Sequence, residues 1–232
     1  MSAADTRLGL GISFGILLAW LVSLVILLRL DSRELPLSGL LLAVLGRTLL
    51  QTGLFIVGHD AMHGSLLPGR PGFNDRLGQL ALLLYACLPY HHCRDNHRRH
   101  HLAPGTEHDP DFRGVVGGRP WFVRFMAGYL TWPQMTALLG CWGLSALLLG
   151  AAGLPVLLFW TLPLLLSTLQ LFFFGTVLPH RHGAAEGLPH RPHSLHWSPW
   201  LSLFACYHFG YHREHHDAPT VPWFRLPGQR PQ

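Results

Sequence analysis

Long apolar runs separated by short polar segments dominate the chain as far as residue 178. Four runs are long enough to cross a bilayer as helices, at about residues 8–30, 37–57, 133–150 and 154–178. The first run exceeds the apolar core of a signal peptide, about 7–15 residues, and no small-residue cleavage site follows it, so we expect a retained helix. The pattern predicts an all-α integral membrane protein with four transmembrane helices.

A fifth apolar run, residues 77–90, is too short to cross the membrane. As a helix it would rise about 21 Å, against a hydrocarbon core of about 30 Å. We therefore expect an interfacial or re-entrant helix here. With the four spans and a histidine-rich cap, it would complete a single membrane-embedded domain over residues 1–232.

Composition agrees with a membrane location, since 49% of the residues are hydrophobic and only 12% are charged. The basic residues are all arginine and give a formal net charge of +5. They flank the apolar runs and form no separate basic domain, which argues against nucleic-acid binding. The lipid bilayer is the partner that this composition predicts.

The arginines also predict the orientation of the spans. With four crossings, the N-terminus, residues 58–132 and residues 179–232 share one side, which holds fourteen arginines against two on the other. That bias marks the shared side as cytoplasmic. It also gathers the histidines on the cytoplasmic side, because none of the 17 falls within a predicted span.

Histidine is concentrated in three clusters: HDAMHG at 59–64, NHRRHH at 96–101 and YHREHH at 211–216. Positions i, i+3 and i+4 lie on one face of a helix, so each of the last two clusters can present three imidazoles together and the first can present two. The histidines concerned are His59, His63, His97, His100, His101, His212, His215 and His216.

So many imidazoles indicate two metal ions, because a structural zinc ion takes about four ligands and a catalytic one about three from the protein. Imidazole binds iron, copper, zinc and nickel, so the ligand type leaves the metal open. The four cysteines form no C-x-x-C pair or disulfide framework, which indicates a reducing compartment. A membrane site on the reducing side favours iron and dioxygen chemistry.

A ninth ligand is expected just after the fourth span, where FFFGTVLPHRH contains His180 and His182. We favour His180 because it comes first after the helix; His208, one helical turn before His212, is a rival. Carboxylates near the clusters could orient the imidazoles, or could instead cap helices or pair with arginines. The candidates are Asp60, Asp95, Asp109, Asp111 and Glu214.

Arg47 falls in the middle of the second span, where an unpaired charge is costly. Steps of four connect it through Gln51 and Phe55 to His59, so it shares a helix face with the first cluster. We expect it to point into the bundle and to bond Gln51 or helix carbonyls. A role beside a substrate channel is the alternative.

Five segments together resemble those of bacterial β-carotene 4-ketolases, within the membrane fatty-acid desaturase-like superfamily. They are HDAMHG, NHRRHH, DPDF at 109–112, FFFGTVLPHRH at 172–182 and YHFGYHREHH at 207–216. Single histidine boxes occur across the superfamily, whereas this combination is specific. The first box has three residues between its histidines where many acyl desaturases have four, so that branch fits less well.

The resemblance implies a non-haem di-iron oxygenase that converts the C4 methylene of a β-ionone ring into a ketone, giving echinenone and canthaxanthin. In that family one carbon is hydroxylated twice and the gem-diol loses water. By motif match the eight clustered histidines would hold two iron ions, with His180 as a less firmly matched ninth ligand. The di-iron centre itself would be the catalytic group, and dioxygen the co-substrate.

The remaining expectations concern substrate and electrons. Carotene dissolves in the bilayer and could enter sideways, and aromatic residues could line a groove for it or simply form an interfacial belt. The candidates are Phe173, Trp197, Tyr207 and Tyr211. Because the sequence has neither a flavin fingerprint nor iron–sulfur cysteines, we expect an external, ferredoxin-type electron donor. The membrane would be a bacterial inner or thylakoid-type membrane.

Two other functions stay open at the level of sequence. A carotenoid hydroxylase, or a lipid desaturase or hydroxylase, could use the same iron site and differ only in its product. A non-catalytic membrane protein that binds or transports zinc or copper would also need clustered histidines.

Overall fold

The computed structural model describes residues 2–106, 108–111, 121–150, 153–180 and 192–229. The described residues form helices and no strand. The helices are α1 (Ala3–Arg29), α2 (Leu37–Met62), α3 (Pro71–Ala86), α4 (Tyr90–Leu102), α5 (Trp121–Tyr129), α6 (Trp132–Leu149), α7 (Leu154–His180), α8 (Pro199–Cys206), α9 (His212–Asp217) and a 3₁₀ helix (Trp223–Gln229). Phe112 of the DPDF segment and His182 lie outside the described residues.

The four predicted spans correspond to α1, α2, α6 and α7, which are long and apolar enough to cross a membrane. Two of them continue past their predicted C-terminal ends. Helix α2 continues to Met62 and stops where Gly64 adopts a φ of +71°, so His59 lies inside the helix. Helix α7 likewise ends at His180. His59 and His180 thus lie in helical turns that extend the predicted spans, because backbone hydrogen bonding does not stop at the last apolar residue.

Helix α3 is shifted relative to the predicted segment 77–90. It begins at Pro71, and Cys87 ends it in the left-handed conformation, with a φ of 55°. Polar residues fill its first turns, so the apolar run alone missed its start. One of them, Asn74, is buried and donates from Nδ2 to the Ala61 carbonyl at 2.8 Å. With 16 residues α3 is not among the candidate spans, and its interfacial or re-entrant position stays a prediction.

Helix α2 is the centre of the bundle and packs against α1, α3 and α7. Glycine allows the close approach of α3, since a Cβ atom on Gly58 would lie 2.6 Å from Leu82 Cδ2. A Cβ atom on Gly78 would lie 2.6 Å from the Cβ of Ala61. Because α4 follows α3 after a short turn, this contact holds the histidines of α4 beside the end of α2.

Arg47 is buried in α2 and joins three helices. Its Nε donates to the Phe159 carbonyl of α7 at 3.0 Å, and its Nη1 donates to the Trp20 carbonyl at 2.6 Å and Ser23 Oγ at 3.0 Å in α1. The guanidinium also lies 4.9 Å from the centroid of the Trp20 ring. Bonding to helix carbonyls is confirmed, whereas Gln51 accepts from the Trp20 indole instead, at 2.7 Å.

Helix α7 contains two π-helical segments, Leu157–Thr161 and Phe172–Val177. Such segments interrupt the regular hydrogen-bond ladder and occur frequently at functional sites. The first contains Phe159, whose carbonyl accepts from Arg47. The second lies three residues before His180 and sets the direction in which the end of α7 approaches the histidine clusters.

Replacing Arg47 by Leu is expected to destabilise the folded protein by about 2–4 kcal/mol, since two buried carbonyls lose a charged donor. Thermal unfolding in detergent, followed by circular dichroism, measures the effect. Arg29→Leu, at the exposed end of α1, is the matched control and should unfold like the parent protein. An unchanged unfolding midpoint for Arg47→Leu would contradict the stabilisation of the bundle by the hydrogen bonds of Arg47.

Candidate metal centre

The three histidine clusters and the end of α7 meet at one end of the bundle. His59 lies in the last turn of α2 and His63 caps that helix. The second cluster lies on α4 and the third on α9. Since α4 and α9 are both helical, the i, i+3, i+4 spacing brings the three imidazoles of each onto one face.

A first group of four histidines is able to hold a metal ion. It consists of His59, His63, His97 and His215, whose ligand atoms lie within 4.8 Å of one another. The Nε2 atoms of His63 and His97 are 2.7 Å apart. The group draws on α2, α4 and α9, so it exists only when these three helices pack together.

A second group consists of His100, His180, His212 and His216, with the same upper limit of 4.8 Å between ligand atoms. The Nε2 atom of His212 is 3.1 Å from that of His180 and 3.1 Å from that of His216. His216 Nε2 is in turn 3.1 Å from His100 Nε2. This group combines α4 and α9 with α7.

His101 lies between the two groups. Its Nε2 is 3.1 Å from His97 Nε2 and 3.0 Å from His215 Nε2, both in the first group. Its ring stacks on His216 of the second group, with the centroids 4.1 Å apart. His101 is therefore in position to serve either metal position.

The donor set fits metal ions. Neighbouring nitrogen ligands of a six-coordinate ion with metal–nitrogen bonds of about 2.1 Å are about 3.0 Å apart. The Nε2 pairs quoted above are 2.7–3.1 Å apart. A neutral imidazole carries one N–H and one lone pair, so a set of converging Nε2 atoms cannot be satisfied by mutual hydrogen bonds alone. Bound cations would accept the lone pairs.

Asp109 orients one of these imidazoles. Its carboxylate oxygens lie 2.9 and 3.0 Å from Nδ1 of His100, so Nδ1–H donates to Asp109 and Nε2 is left for a metal. The backbone N–H groups of Gly105 and Asp111 donate to the same carboxylate at 2.8 and 2.9 Å. The close set of His100, Asp109 and Asp111 is therefore a hydrogen-bonded support for His100.

Burial keeps most of the clustered imidazoles neutral. Burial, followed by the neighbouring imidazoles, lowers the pKa of His97, His212 and His215 well below the usual 6.5, and burial lowers that of His101 to about 2. For His100, burial also acts downward, but the hydrogen bond and charge of Asp109 outweigh it and raise the pKa. Neutral rings are the form that binds metals.

A small chamber of about 50 Å³ borders both groups. Its lining includes His59, His97, His100, His212 and His215. Next to it lies a larger cavity of about 730 Å³, lined by apolar side chains of α3, α5, α6 and α7. Phe55, Phe125, Tyr129 and Leu171 line both spaces and form the boundary between them.

Comparison with known proteins assigns the chain to a family. The fatty acid desaturase family matches residues 35–133 and 116–231. The chain is 43% identical over 233 residues to a beta-carotene ketolase of Paracoccus sp. (strain PC1), covering 99% of this chain and 95% of that protein. It is 44% identical over 229 residues to the beta-carotene ketolase of Paracoccus sp. (strain N81106 / MBIC 01143), covering 97% and 93%.

The chain belongs to the fatty acid desaturase family. It is similar over nearly its full length to bacterial beta-carotene ketolases. A zeaxanthin 4-ketolase of Chlamydomonas reinhardtii is 40% identical over 183 residues, which covers 77% of this chain and 41% of that protein. Membership of this family indicates an oxidoreductase.

The other predicted carboxylates have different surroundings in this family member. Asp60 is buried, but its Oδ1 is 3.6 Å from Nδ1 of His59, beyond hydrogen-bonding distance, and its Oδ2 accepts from the Trp223 N–H at 3.3 Å. Glu214 accepts a hydrogen bond from Ser194 and so ties α9 to the segment before α8. Asp95 is exposed on α4. Asp109 is the carboxylate with direct contact to a clustered imidazole.

The geometry favours His180 over His208 as the additional histidine. His180 is fully buried and belongs to the second group. His208 belongs to neither group; its ring lies near Tyr211 and Trp223, and it has a φ of 66°. The helical spacing of His208 from His212 has no effect because α8 ends at Cys206 and α9 begins anew at His212.

The four aromatic residues predicted for the substrate groove do not line the large cavity as the described residues define it. Phe173 is 47% exposed on α7. Tyr207 donates to the Leu49 carbonyl at 3.1 Å, and the Tyr211 hydroxyl lies 3.5 Å from the Trp197 carbonyl. Three of them thus belong to the packing around α8 and α9, and their contact with substrate stays a prediction.

Sequence reasoning missed the residues that do line the cavity, among them Phe125 and Tyr129 of α5. They lie outside the histidine motifs. The aromatic-rich stretch WFVRFMAGY at 121–129 is the feature of the sequence that could have indicated them. It forms helix α5, in which none of the described residues is fully buried.

Replacing Asp109 by Asn is expected to weaken metal binding about 10–100-fold, because the amide no longer supports His100 as a charged acceptor. Metal affinity by competition with a chelator, on the purified full-length chain, measures the effect. Asp95→Asn, also on the polar end of the molecule but exposed, is the matched control and should retain the parent affinity. Equal metal affinities for both variants would contradict the role of Asp109 in orienting His100.

Proposed function

We propose that this chain is a β-carotene 4-ketolase that converts the C4 methylene of a β-ionone ring into a ketone. The observation that carries the proposal is the contact between a two-group histidine centre and a chamber that opens toward a large apolar cavity. The bacterial relatives, named beta-carotene ketolases, support the same substrate and reaction.

Two iron ions are the proposed metals, and dioxygen is the proposed oxidant. When bound, the iron ions would activate dioxygen for attack on the allylic C–H bond at C4. His59, His63, His97 and His215 would hold one ion, and His100, His180, His212 and His216 the other. His101, between the groups, would complete the set of nine.

The apolar cavity suits a hydrocarbon substrate. Its 730 Å³ lies within the range of about 300–1,000 Å³ for ligand sites, which suffices for one cyclic end group and the adjoining polyene. Val123, Leu130, Leu165 and Leu169 line the cavity and are 42–56% exposed, so this wall of the cavity is open. A carotenoid would therefore enter from the bilayer between α5 and α7, with its far end left among the lipids.

The chemistry at C4 takes two rounds. Each round would consume one dioxygen, two electrons and two protons, place one oxygen atom on C4 and release one water. The resulting gem-diol would lose water to give the ketone. Phe55, Phe125 and Leu171 border the chamber with apolar surface, so they would exclude bulk water and direct the ring edge toward the histidines.

The electrons would come from a ferredoxin-type donor on the cytoplasmic side of a bacterial inner membrane or a thylakoid-type membrane. The excess of arginine on the side of the histidine clusters supports that orientation. It would also favour an acidic redox partner at that surface.

Expression in a host that accumulates β-carotene is expected to yield echinenone and canthaxanthin, detected by liquid chromatography with mass spectrometry. His97→Ala should abolish ketone formation, since it removes a ligand of the first group. His91→Ala, on the same helix but exposed and bonded to Gln79 and Arg94, should not. If hydroxylated carotenoids alone appear, the chain is a hydroxylase and the proposal fails.

Elemental analysis of the purified protein is expected to give about two iron ions per chain, as a two-metal site requires. Removing iron with a chelator should abolish ketone formation, and adding ferrous iron should restore it. A protein that contains zinc alone and forms no ketone would support the metal-binding alternative, whereas ketone formation that survives iron depletion would refute iron as the metal.

A further inference from the structure

Asp111 belongs to the wall of the chamber that borders both histidine groups, together with His97 and His100. It is 8% exposed, so its carboxyl group is almost removed from solvent. It is the carboxylate that lines this chamber among the described residues.

Three contacts fix the position of Asp111. Its Oδ1 accepts from the Tyr129 hydroxyl at 2.6 Å. Its backbone N–H donates to Asp109 at 2.9 Å, and its carbonyl accepts from the Trp121 indole at 2.8 Å. The side chain is thus held in the chamber wall beside Tyr129, which lines both the chamber and the cavity.

The second carboxylate oxygen, Oδ2, receives no hydrogen bond from any described residue. Oδ2 is not among the fully buried unpaired atoms, so it stays accessible in the chamber wall and can accept a hydrogen bond from a ligand that brings a donor. β-Carotene has no O–H group, and neither does a C4 ketone. The C4 alcohol formed in the first round has one, at the carbon that must approach the histidine centre.

We infer that Asp111 Oδ2 accepts a hydrogen bond from the C4 hydroxyl of this alcohol and so retains it for the second oxidation. The inference rests on the proposed function. Tyr129 acts as a positioning residue by holding Oδ1. The same contact is lost when the ketone forms, so it favours binding of the intermediate over binding of the product. This would distinguish a ketolase from an enzyme that stops at the alcohol.

The test compares two substrates on membranes that contain the full-length chain, supplied with ferredoxin, ferredoxin reductase and NADPH. One substrate is β-carotene and the other is 4-hydroxy-β-carotene, both delivered in phosphatidylcholine vesicles. In Asp111→Asn the amide oxygen can still accept from Tyr129, but the other position becomes an N–H donor. We expect kcat/KM for the alcohol to fall about tenfold relative to kcat/KM for β-carotene, through a higher KM. The alcohol should accumulate beside the ketone.

A purely structural role would lower both values of kcat/KM in proportion and leave their ratio unchanged, which would overturn the inference. If Asp111→Asn is inactive, Tyr129→Phe provides the test, because it removes only the hydroxyl that holds Asp111 and keeps the ring. A lower ratio of kcat/KM for the alcohol to kcat/KM for β-carotene would support the inference. An unchanged ratio would overturn it. Asp95→Asn is the matched control and should keep the parent ratio. Absence of ketone from the parent protein with either substrate would refute the proposed function itself, a result distinct from an unchanged ratio.

Discussion

The convergence of nine imidazoles at one end of an apolar bundle is the constraint on which the rest of the structure depends. The Nε2 atoms of eight of them approach to 2.7–3.1 Å in two separate runs, His63–His97–His101–His215 and His100–His216–His212–His180. Each neutral ring brings only one proton, so the cluster is compatible with burial when cations accept the remaining lone pairs. We therefore expect metal binding and folding of this end of the molecule to be coupled.

The apolar part of the protein is built to keep that end in place. Helix α2 carries the first two imidazoles and lies at the centre of the bundle, against α1, α3 and α7. Arg47 ties it to α1 and α7 and has no carboxylate partner among the described residues, and Gly58 lets α3 approach closely. A buried cation bonded to carbonyls costs less than an unpaired one, and it restricts the relative rotation of three helices.

The site joins two opposite environments across a boundary of four side chains. On one side lie polar imidazoles with Asp109 behind them, and on the other a cavity with almost entirely apolar walls. The proposed hydrocarbon substrate would reach the histidines through the contact between these two environments. Asp111 lies in the chamber wall next to that boundary. It would offer a hydrogen-bond acceptor to the hydroxyl group that the proposed substrate gains in the first oxidation.

The sequence by itself determined the four apolar helices, the helical faces of the histidine clusters and the family, because each depends on residues close together in the chain. It did not determine how the imidazoles are shared. His97 joins the first group while His100 joins the second, and His215 is separated from His212 and His216 in the same way. That division depends on how α2, α4, α7 and α9 cross. The cavity was also decided by tertiary structure, since its walls come from helices distant in sequence and apolar lining residues carry no motif.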